Sequence, residues 1–243
     1  MVRASLVACT VLLLAVSPAP AQSSLPDDLR LVPGLTVFDV AGQIAVPIGG
    51  FRTNVDAAWG VGVGVRHHFG KLELLGVRGD FSFLNYGNES KRVPLSPTVN
   101  RVLVDMTTSN NIVVASAGPE LMLTRGPINP YVYGFAGYSY FFTESSVGDD
   151  DDGGGNFASS TNQGDGGLAK GWGGGVSVPL RFRRTLISID AGARQTFNGP
   201  RTYLKPGDIT DLSDGSLQIN GRNTDANFWQ YHVGVSFSFR RRS

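Results

Sequence analysis

The stretch WGVGVGVRHHF, Trp59 to Phe69, decides the fold because two kinds of side chain alternate along it. Its odd positions carry tryptophan, three valines, histidine and phenylalanine, whereas its even positions carry three glycines, arginine and histidine. Successive side chains of a β-strand point to opposite faces. This stretch therefore predicts a strand with one apolar face that has aromatic ends, and one small and polar face.

Two later stretches repeat this design, Trp172 to Phe182 and Trp229 to Phe239, each again with ten residues from tryptophan to phenylalanine. Ten steps of roughly 3.3 Å, tilted by about 40°, rise approximately 25 Å, which matches the lipid-facing band of a membrane β-barrel. Aromatic side chains favour both edges of such a band. The predicted membrane girdle consists of Trp59, Phe69, Trp172, Phe182, Trp229 and Phe239.

The first 21 residues have the features of a secretory signal peptide. Arg3 gives a positive start, an apolar run covers Leu6 to Val16, and Ala19-Pro20-Ala21 is a small-residue cleavage pattern. The apolar run is too short to span a bilayer as a stable helix. We expect a signal peptide over 1–21 and one barrel domain over 22–243, without cysteine, since Cys9 is the only one.

Composition excludes several classes of protein. A formal charge of +1 argues against a nucleic-acid surface. No later stretch approaches the run of about eighteen apolar residues that a transmembrane helix needs, and the 32 glycines disfavour helices in general. A closed β-barrel is the other structure that satisfies every backbone group inside a bilayer.

The alternating pattern predicts an all-β fold, an eight-stranded antiparallel up-and-down transmembrane β-barrel. Short turns alternate with longer connections rich in Gly, Asn, Asp, Ser and Thr, and the long ones are expected outside the cell. All three tryptophans then begin strands at the outer edge. The predicted strands are 36–48, 58–69, 72–86, 110–124, 130–142, 170–182, 185–198 and 226–240, and the predicted long loops are 49–57, 87–109, 143–169 and 199–225.

One strand leaves its orientation open. In the stretch 130–142, two sets of rings compete for the lipid face: Tyr131, Tyr133 and Phe135, or Tyr138, Tyr140 and Phe142. The two sets have opposite parity, so only one of them can point outward from a regular strand.

Three segments resemble the small bacterial outer-membrane β-barrels of the OmpA-transmembrane-domain and OmpX kind, which are porin-like barrels. They are GQIAVPIGGF (Gly42–Phe51), NPYVYGFAGYSYFF (Asn129–Phe142) and FWQYHVGVSFSF (Phe228–Phe239). The resemblance covers roughly 36–240. It implies an outer-membrane location, contact with membrane lipid and lipopolysaccharide, and assembly by the barrel-insertion machinery. Family members often end in an aromatic residue, whereas Arg240, Arg241, Arg242 and Ser243 follow Phe239 here.

Parity assigns charged side chains to the lumen, in equal numbers of acids and bases. The interior of an eight-stranded barrel is just wide enough to be filled by side chains, so these charges should pair and form a plug. The alternative is a narrow, gated conductance. The predicted lumen residues are Asp39, Arg66, Arg78, Asp80, Glu120, Arg181, Asp190 and Arg194.

No catalytic or cofactor-binding residues are predicted, and no cofactor is expected. His232 shares a face with Ser236 and Ser238, but residues four apart on a strand are roughly 13 Å apart, so neither serine can be its nucleophile. His67 and His68 point to opposite faces and cannot chelate one metal together. We expect His67 at the periplasmic interface and His232 as a structural lumen residue.

The run Asp149, Asp150, Asp151 and Asp152 is the one candidate for Ca²⁺, because carboxylate oxygens are the ligands that calcium prefers. It lacks the spaced ligands of an EF-hand loop, and such runs are usually solvated loop tips.

The leading functional hypothesis is a non-enzymatic outer-membrane barrel whose long loops have a structural, adhesive or surface-binding role toward an unknown extracellular ligand. A narrow pore or transporter for small solutes or hydrophobic molecules is the second hypothesis. A soluble lipocalin-like barrel, with its apolar face inward around a ligand, is the third.

Overall fold

A computed structural model describes residues 35–70, 72–96, 99–148, 158–182, 185–211 and 217–240. The predicted signal peptide over 1–21 and the run Asp149 to Asp152 lie outside these residues. No helix that is long and apolar enough to cross a membrane occurs in the described part of the chain.

The described residues contain twelve strands, and eight of them close into one antiparallel barrel in the order β1-β12-β7-β6-β5-β4-β3-β2. The predicted eight-stranded barrel is confirmed. The strands are β1 Leu35–Pro47, β2 Ala58–Phe69, β3 Leu75–Ser96, β4 Val99–Met122, β5 Asn129–Gly148, β6 Ala158–Phe182, β7 Thr185–Phe197, β8 Pro200–Tyr203, β9 Ile209–Asp211, β10 Leu217–Ile219, β11 Arg222–Asp225 and β12 Phe228–Arg240.

The apolar face of the barrel points outward. Val61 and Val233 are 59% and 65% exposed, whereas Arg66 and Arg78, on neighbouring strands, are buried inside. This arrangement suits a barrel that is surrounded by lipid. The lipocalin-like alternative needs the reverse arrangement, with apolar side chains lining the interior, and is wrong.

Four strands extend far beyond the predicted limits. The predicted loops 87–109 and 143–169 are mostly strand, because β3 pairs with β4 as far as Ser96 and Val99, and β4 pairs with β5 as far as Asp105 and Gly148. Backbone hydrogen bonds hold these polar segments together whatever their β-propensity. We call the paired segments 87–96, 99–110, 143–148 and 158–163 the outer sheet.

The predicted loop 199–225 also contains strands. β8 pairs with β11, and β9 pairs with β10, in two small antiparallel sheets. Gly207 N donates to Glu89 Oε2 at 2.8 Å, and Lys91 Nζ donates to Ile209 O at 3.3 Å. This segment is therefore fixed against the outer sheet.

Glycines of β6 settle the orientation of β5. Tyr131, Tyr133 and Phe135 point inward and are buried. An added Cβ on Gly173 would lie 2.7 Å from the ring of Tyr133, and the two other rings reach across β6 in the same way. Each ring therefore needs a residue without a side chain beneath it. These three rings, above Gly175, Gly173 and Gly171 respectively, form what we call the inner ladder.

Candidate functional site

The middle of the barrel holds seven of the predicted lumen residues. Six of them form two groups of ion pairs, one around Arg66 and one around Arg78, whereas Arg194 is hydrogen-bonded to neutral side chains. The predicted lumen residue Arg181 belongs to β6, but its side chain is not among those described. Arg66 has three partners: its Nε lies 3.1 Å from Asp39 Oδ1, its Nη1 lies 3.3 Å from Asp190 Oδ2, and its Nη2 donates to Ser236 Oγ at 2.9 Å. Arg66 is thus fully engaged. We call the set Asp39, Arg66, Arg78, Asp80, Glu120, Asp190 and Arg194 the lumen network.

Arg78 lies between two carboxylates. Its Nε and Nη2 donate to both oxygens of Asp80, at 2.8 and 2.7 Å, and its Nη1 donates to Glu120 Oε2 at 2.8 Å. The Glu120 side chain has no exposed surface, and that of Arg78 is 5% exposed. Paired geometry of this kind compensates for the cost of removing such charges from water.

The inner ladder supports the three arginines from one side. The Arg78 guanidinium carbon lies 3.7 Å from the centre of the Tyr133 ring. The Arg66 carbon lies 5.3 Å from the Tyr131 ring, and the Arg194 carbon lies 5.2 Å from the Phe135 ring. Cation–π contacts in a dry site strengthen the hold on each guanidinium. Glycines, rings and arginines thus fill the lumen in layers.

Neutral polar side chains complete the network. Arg194 Nε donates to Gln230 Oε1 at 2.8 Å, and its Nη2 donates to Ser82 Oγ at 3.1 Å. Gln230 Nε2 in turn donates to Gln43 Oε1. Parity places all of these residues inside, but they carry no charge and were not among the predicted lumen residues.

Two histidines join the network. His68 Nε2 lies 2.9 Å from Glu120 Oε1. His232 Nε2 lies 3.0 Å from Asp190 Oδ1, which also accepts a hydrogen bond from Tyr131 Oη at 2.7 Å. The sequence identified no partner for His232, because Asp190 lies on β7 and the register between β7 and β12 cannot be read from either strand alone.

No described nucleophile completes a catalytic triad at His232. Ser236 Oγ accepts a hydrogen bond from Arg66, and the spacing of residues along a strand keeps it roughly 13 Å from His232. In the described ranges, no three His, Cys, Asp or Glu residues are grouped so that they could hold a metal ion. Among the described residues, the hydroxyl that contacts His232 is Tyr131 Oη, 3.2 Å from Nε2, and it also donates to Asp190. The arrangement thus positions and pairs charged side chains.

Above the network, four rings close the outer mouth of the barrel. Phe51 comes from the first outer loop and Tyr203 from β8, whereas Tyr86 and Phe141 come from the wall. The ring centre of Phe51 lies 5.9, 5.9 and 4.9 Å from those of Tyr86, Phe141 and Tyr203. We call these four residues the aromatic cap. All are at least nine-tenths buried, so two loops fold into the barrel mouth.

Below the network, the described residues line a cavity. A cavity of about 720 Å³ opens at the end with the short turns, which is the periplasmic end in bacterial barrels. Arg66 and His68 close its inner end, and Leu35, Val37 and Met122 are among its apolar lining. The described residues therefore fill the middle and outer parts of the lumen and leave this space between them at the periplasmic end.

The described girdle side chains lie on the outward face. Trp59 and Trp172 are 65% and 54% exposed, and the Trp172 ring meets that of Trp229 edge-on at 5.4 Å. Trp59 and Trp229 are each the second residue of a strand, as predicted to within one residue, but Trp172 is not near a strand start, because β6 starts fourteen residues earlier at Ala158. The side chains of Phe182 and Phe239 are not among those described.

The predicted interfacial histidine also lies on the outward face. His67 Nδ1 lies 2.9 Å from Thr36 Oγ1, and its ring meets that of Phe69 edge-on at 5.0 Å. His67 and Phe69 are both half-buried near the end of β2 with the short turn.

An apolar outer face, aromatic residues at its edges and a lumen filled with paired charges define a transmembrane β-barrel of the small, closed class. The family model for the outer membrane protein beta-barrel domain matches residues 8–239. The chain belongs to that family, and it is an outer-membrane protein.

Several solved outer-membrane barrels are similar to this chain at low identity. Ail, the attachment invasion locus protein of Yersinia pestis, was solved with the heparin analogue sucrose octasulfate; it has 15% identity and a TM-score of 0.45, over 86% of this chain and 100% of that one. Neisserial surface protein A has 16% identity and a TM-score of 0.41, over 86% and 98%.

A major outer membrane protein from Thermus thermophilus has 14% identity and a TM-score of 0.43, over 84% of this chain and 99% of that one. The comparison with curated proteins finds no match.

Proposed function

We propose that this protein is a non-enzymatic surface scaffold whose barrel is closed and whose outer loops and outer sheet bind a partner outside the cell, in a structural or adhesive role. The observation that carries this proposal is the double closure of the lumen, by the lumen network and again by the aromatic cap. Two barriers in series leave no continuous water-filled path through the described part of the barrel.

The outer half of the molecule supports the same proposal. β3, β4, β5 and β6 are 20 to 25 residues long, so their hairpins extend well beyond the ten-residue girdle span. The aromatic cap fixes Phe51 and Tyr203, and the contacts of Glu89 and Lys91 fix the segment around Gly207 and Ile209. A preorganised surface loses little entropy on binding.

Conductance in a planar bilayer tests the closed barrel. We expect no stable steps from the wild type, and none from Tyr203→Ala, because the lumen network remains beneath the opened cap. The matched control is Tyr231→Ala, which removes an exposed tyrosine from the outward face. Steady wild-type steps whose ion selectivity changes in Arg78→Glu would support the pore hypothesis instead.

Binding by displaying cells tests the surface role. Gly87 and Asn110 are a backbone pair, so a two-residue Asn-Gly turn can replace 88–109 and shorten the β3–β4 hairpin. We expect cells with the wild type to be retained on an array of immobilised glycans and matrix proteins, and cells with the shortened hairpin to lose that retention. Equal retention of both would contradict a binding role for the outer sheet.

A further inference from the structure

A strip of three rings lies on the outward face of β5, and the aromatic cap and the lumen network use none of them. Tyr138 and Tyr140 are 53% and 39% exposed, and the Tyr140 and Phe142 rings are stacked 5.6 Å apart at 20°. Both tyrosines extend across the neighbouring strand β6, where Gly166 and Gly164 have no side chain. One side of each tyrosine is therefore backed by β6, and the other side is open.

The strip begins just above the girdle and rises from it. Lys170 is exposed on the same outward face, two residues before the girdle residue Trp172, and its backbone partner on β5 is Ala136. From Ala136 to Phe142 the strand advances six residues, which is roughly 20 Å at 3.3 Å per residue. A cation thus lies at the edge of the membrane, and the aromatic rings follow above it.

This order of groups matches the chemistry of a particular kind of lipid. An ammonium group at the membrane edge binds a phosphate, and an open aromatic face stacks against the C–H groups of a sugar ring. We propose that Lys170, Tyr138, Tyr140 and Phe142, here called the wall strip, bind the phosphorylated and sugar-bearing head of lipopolysaccharide in the outer leaflet.

The orientation of the wall strip decides between this lipid and other partners. The strip faces sideways from the barrel wall and starts at the girdle. A molecule anchored in the same leaflet lies alongside it, whereas a soluble glycan or a protein of another cell would meet the loop tips first. The wall strip is distinct from the surface proposed above for an extracellular partner.

Titration of the purified, delipidated protein with three probes tests the proposal. The probes are rough lipopolysaccharide with its inner core, lipid A without sugars of the core, and the core oligosaccharide released from lipid. We expect the wild type to bind rough lipopolysaccharide roughly fivefold more tightly than lipid A, as one or two stacking contacts would give. Tyr140→Leu should abolish that preference, and Lys170→Gln should weaken binding of both lipids.

Two further variants keep the test decisive. Tyr231→Leu removes a tyrosine of β12 that is 50% exposed, against 39% for Tyr140, and should keep the preference. Gly164→Val keeps the tyrosine at position 140, but the added side chain displaces the ring of Tyr140 from its position over β6. This variant should therefore lose the preference for rough lipopolysaccharide, as Tyr140→Leu does. The shift of the unheated protein on a gel confirms that each variant is folded.

Three results would overturn the proposal. Equal affinity for rough lipopolysaccharide and lipid A would exclude sugar stacking at the strip. Core oligosaccharide that binds as tightly as the intact lipid would indicate a soluble glycan. Cross-linking of two copies through the strip in bilayers that contain lipopolysaccharide would indicate a protein contact.

Discussion

The replacement Glu120→Ala tests whether the lumen network stabilises the barrel through paired charges. Glu120 accepts a hydrogen bond from Arg78 at 2.8 Å and lies 2.9 Å from His68, and its side chain has no exposed surface. Its removal leaves one guanidinium nitrogen and one imidazole nitrogen without their partner in a buried site. Such a loss costs about 3–5 kcal/mol.

The contacts that survive set the magnitude at the lower end of this range. Arg78 keeps both hydrogen bonds to Asp80, so its charge stays paired. We therefore expect a loss of about 3 kcal/mol in the free energy of unfolding. Glu120→Gln keeps the shape of the side chain and one acceptor, and should lose about 1–2 kcal/mol.

Equilibrium unfolding in urea, with the protein in phospholipid vesicles and tryptophan fluorescence as the signal, measures these losses. The control is Glu89→Ala, which removes the carboxylate of a partly exposed pair with Lys91 and should cost less than about 1 kcal/mol. If the stability of Glu120→Ala stays within about 1 kcal/mol of the wild type, the lumen charges are solvated rather than paired. The lumen network would then not close the barrel.

Two further predictions concern the inner ladder and the outer sheet. Gly173→Val should cost about 2–3 kcal/mol in the same unfolding assay, because its Cβ would lie 2.7 Å from Tyr133 and from Arg194 Cβ. Gly42→Val, on the lipid face, should cost less than about 0.5 kcal/mol, because its Cβ would meet only Val233 O at an ordinary contact distance of 4.0 Å. Equal losses would contradict the ladder. The hydrogen bond from Lys91 lowers the pKa of Glu89, so the contact of Glu89 with Gly207 N is complete above the ordinary glutamate pKa and is lost only as the pH falls through the lowered pKa. The Gly207 amide signal in an NMR titration should therefore change at a pH below about 4.3, and Lys91→Ala should raise that midpoint; an unchanged midpoint would exclude Lys91 as the cause.

The parts of the fold that the sequence predicts are those that the membrane dictates. A bilayer requires an apolar outward face, a fixed height and aromatic edges. Strands such as Trp59 to Phe69 show these requirements as alternation, a fixed length and aromatic residues at both ends. The network residues Arg66 and Arg78 follow from the same parity. Each side chain of a barrel strand points either to the lipid or to the lumen, so the polar residues of a membrane-spanning strand are expected in the lumen.

The outer sheet could not be predicted in this way. Above the membrane neither face of a strand meets lipid, so the segments 87–96 and 99–110 lose the alternation that marks the barrel. They are strands because each pairs with a neighbour that the barrel already holds in register. Their polar and turn-forming residues are compatible with this pairing, but they do not reveal it.

The contacts within the site depend on register, which a single strand does not reveal. His232 is the backbone partner of Gly192, and Asp190 lies two residues before Gly192 on β7, on the same inward face. The aromatic cap is less predictable still, since Phe51 and Tyr203 belong to loops that fold inward. A buried aromatic residue in a polar loop is the one available signal.

The orientation of β5 was the open question, and its answer lies in the sequence of β6. Gly171, Gly173 and Gly175 have one parity, whereas Gly164 and Gly166 have the other. The first set accommodates the inner ladder beneath the arginines, and the second accommodates the tyrosines of the wall strip outside. A slip of one residue between β5 and β6 would place side chains such as Trp172 and Val176 beneath the inner rings. One register therefore serves the closed lumen and the outer strip together, so a change at these glycines should disturb both faces of the wall.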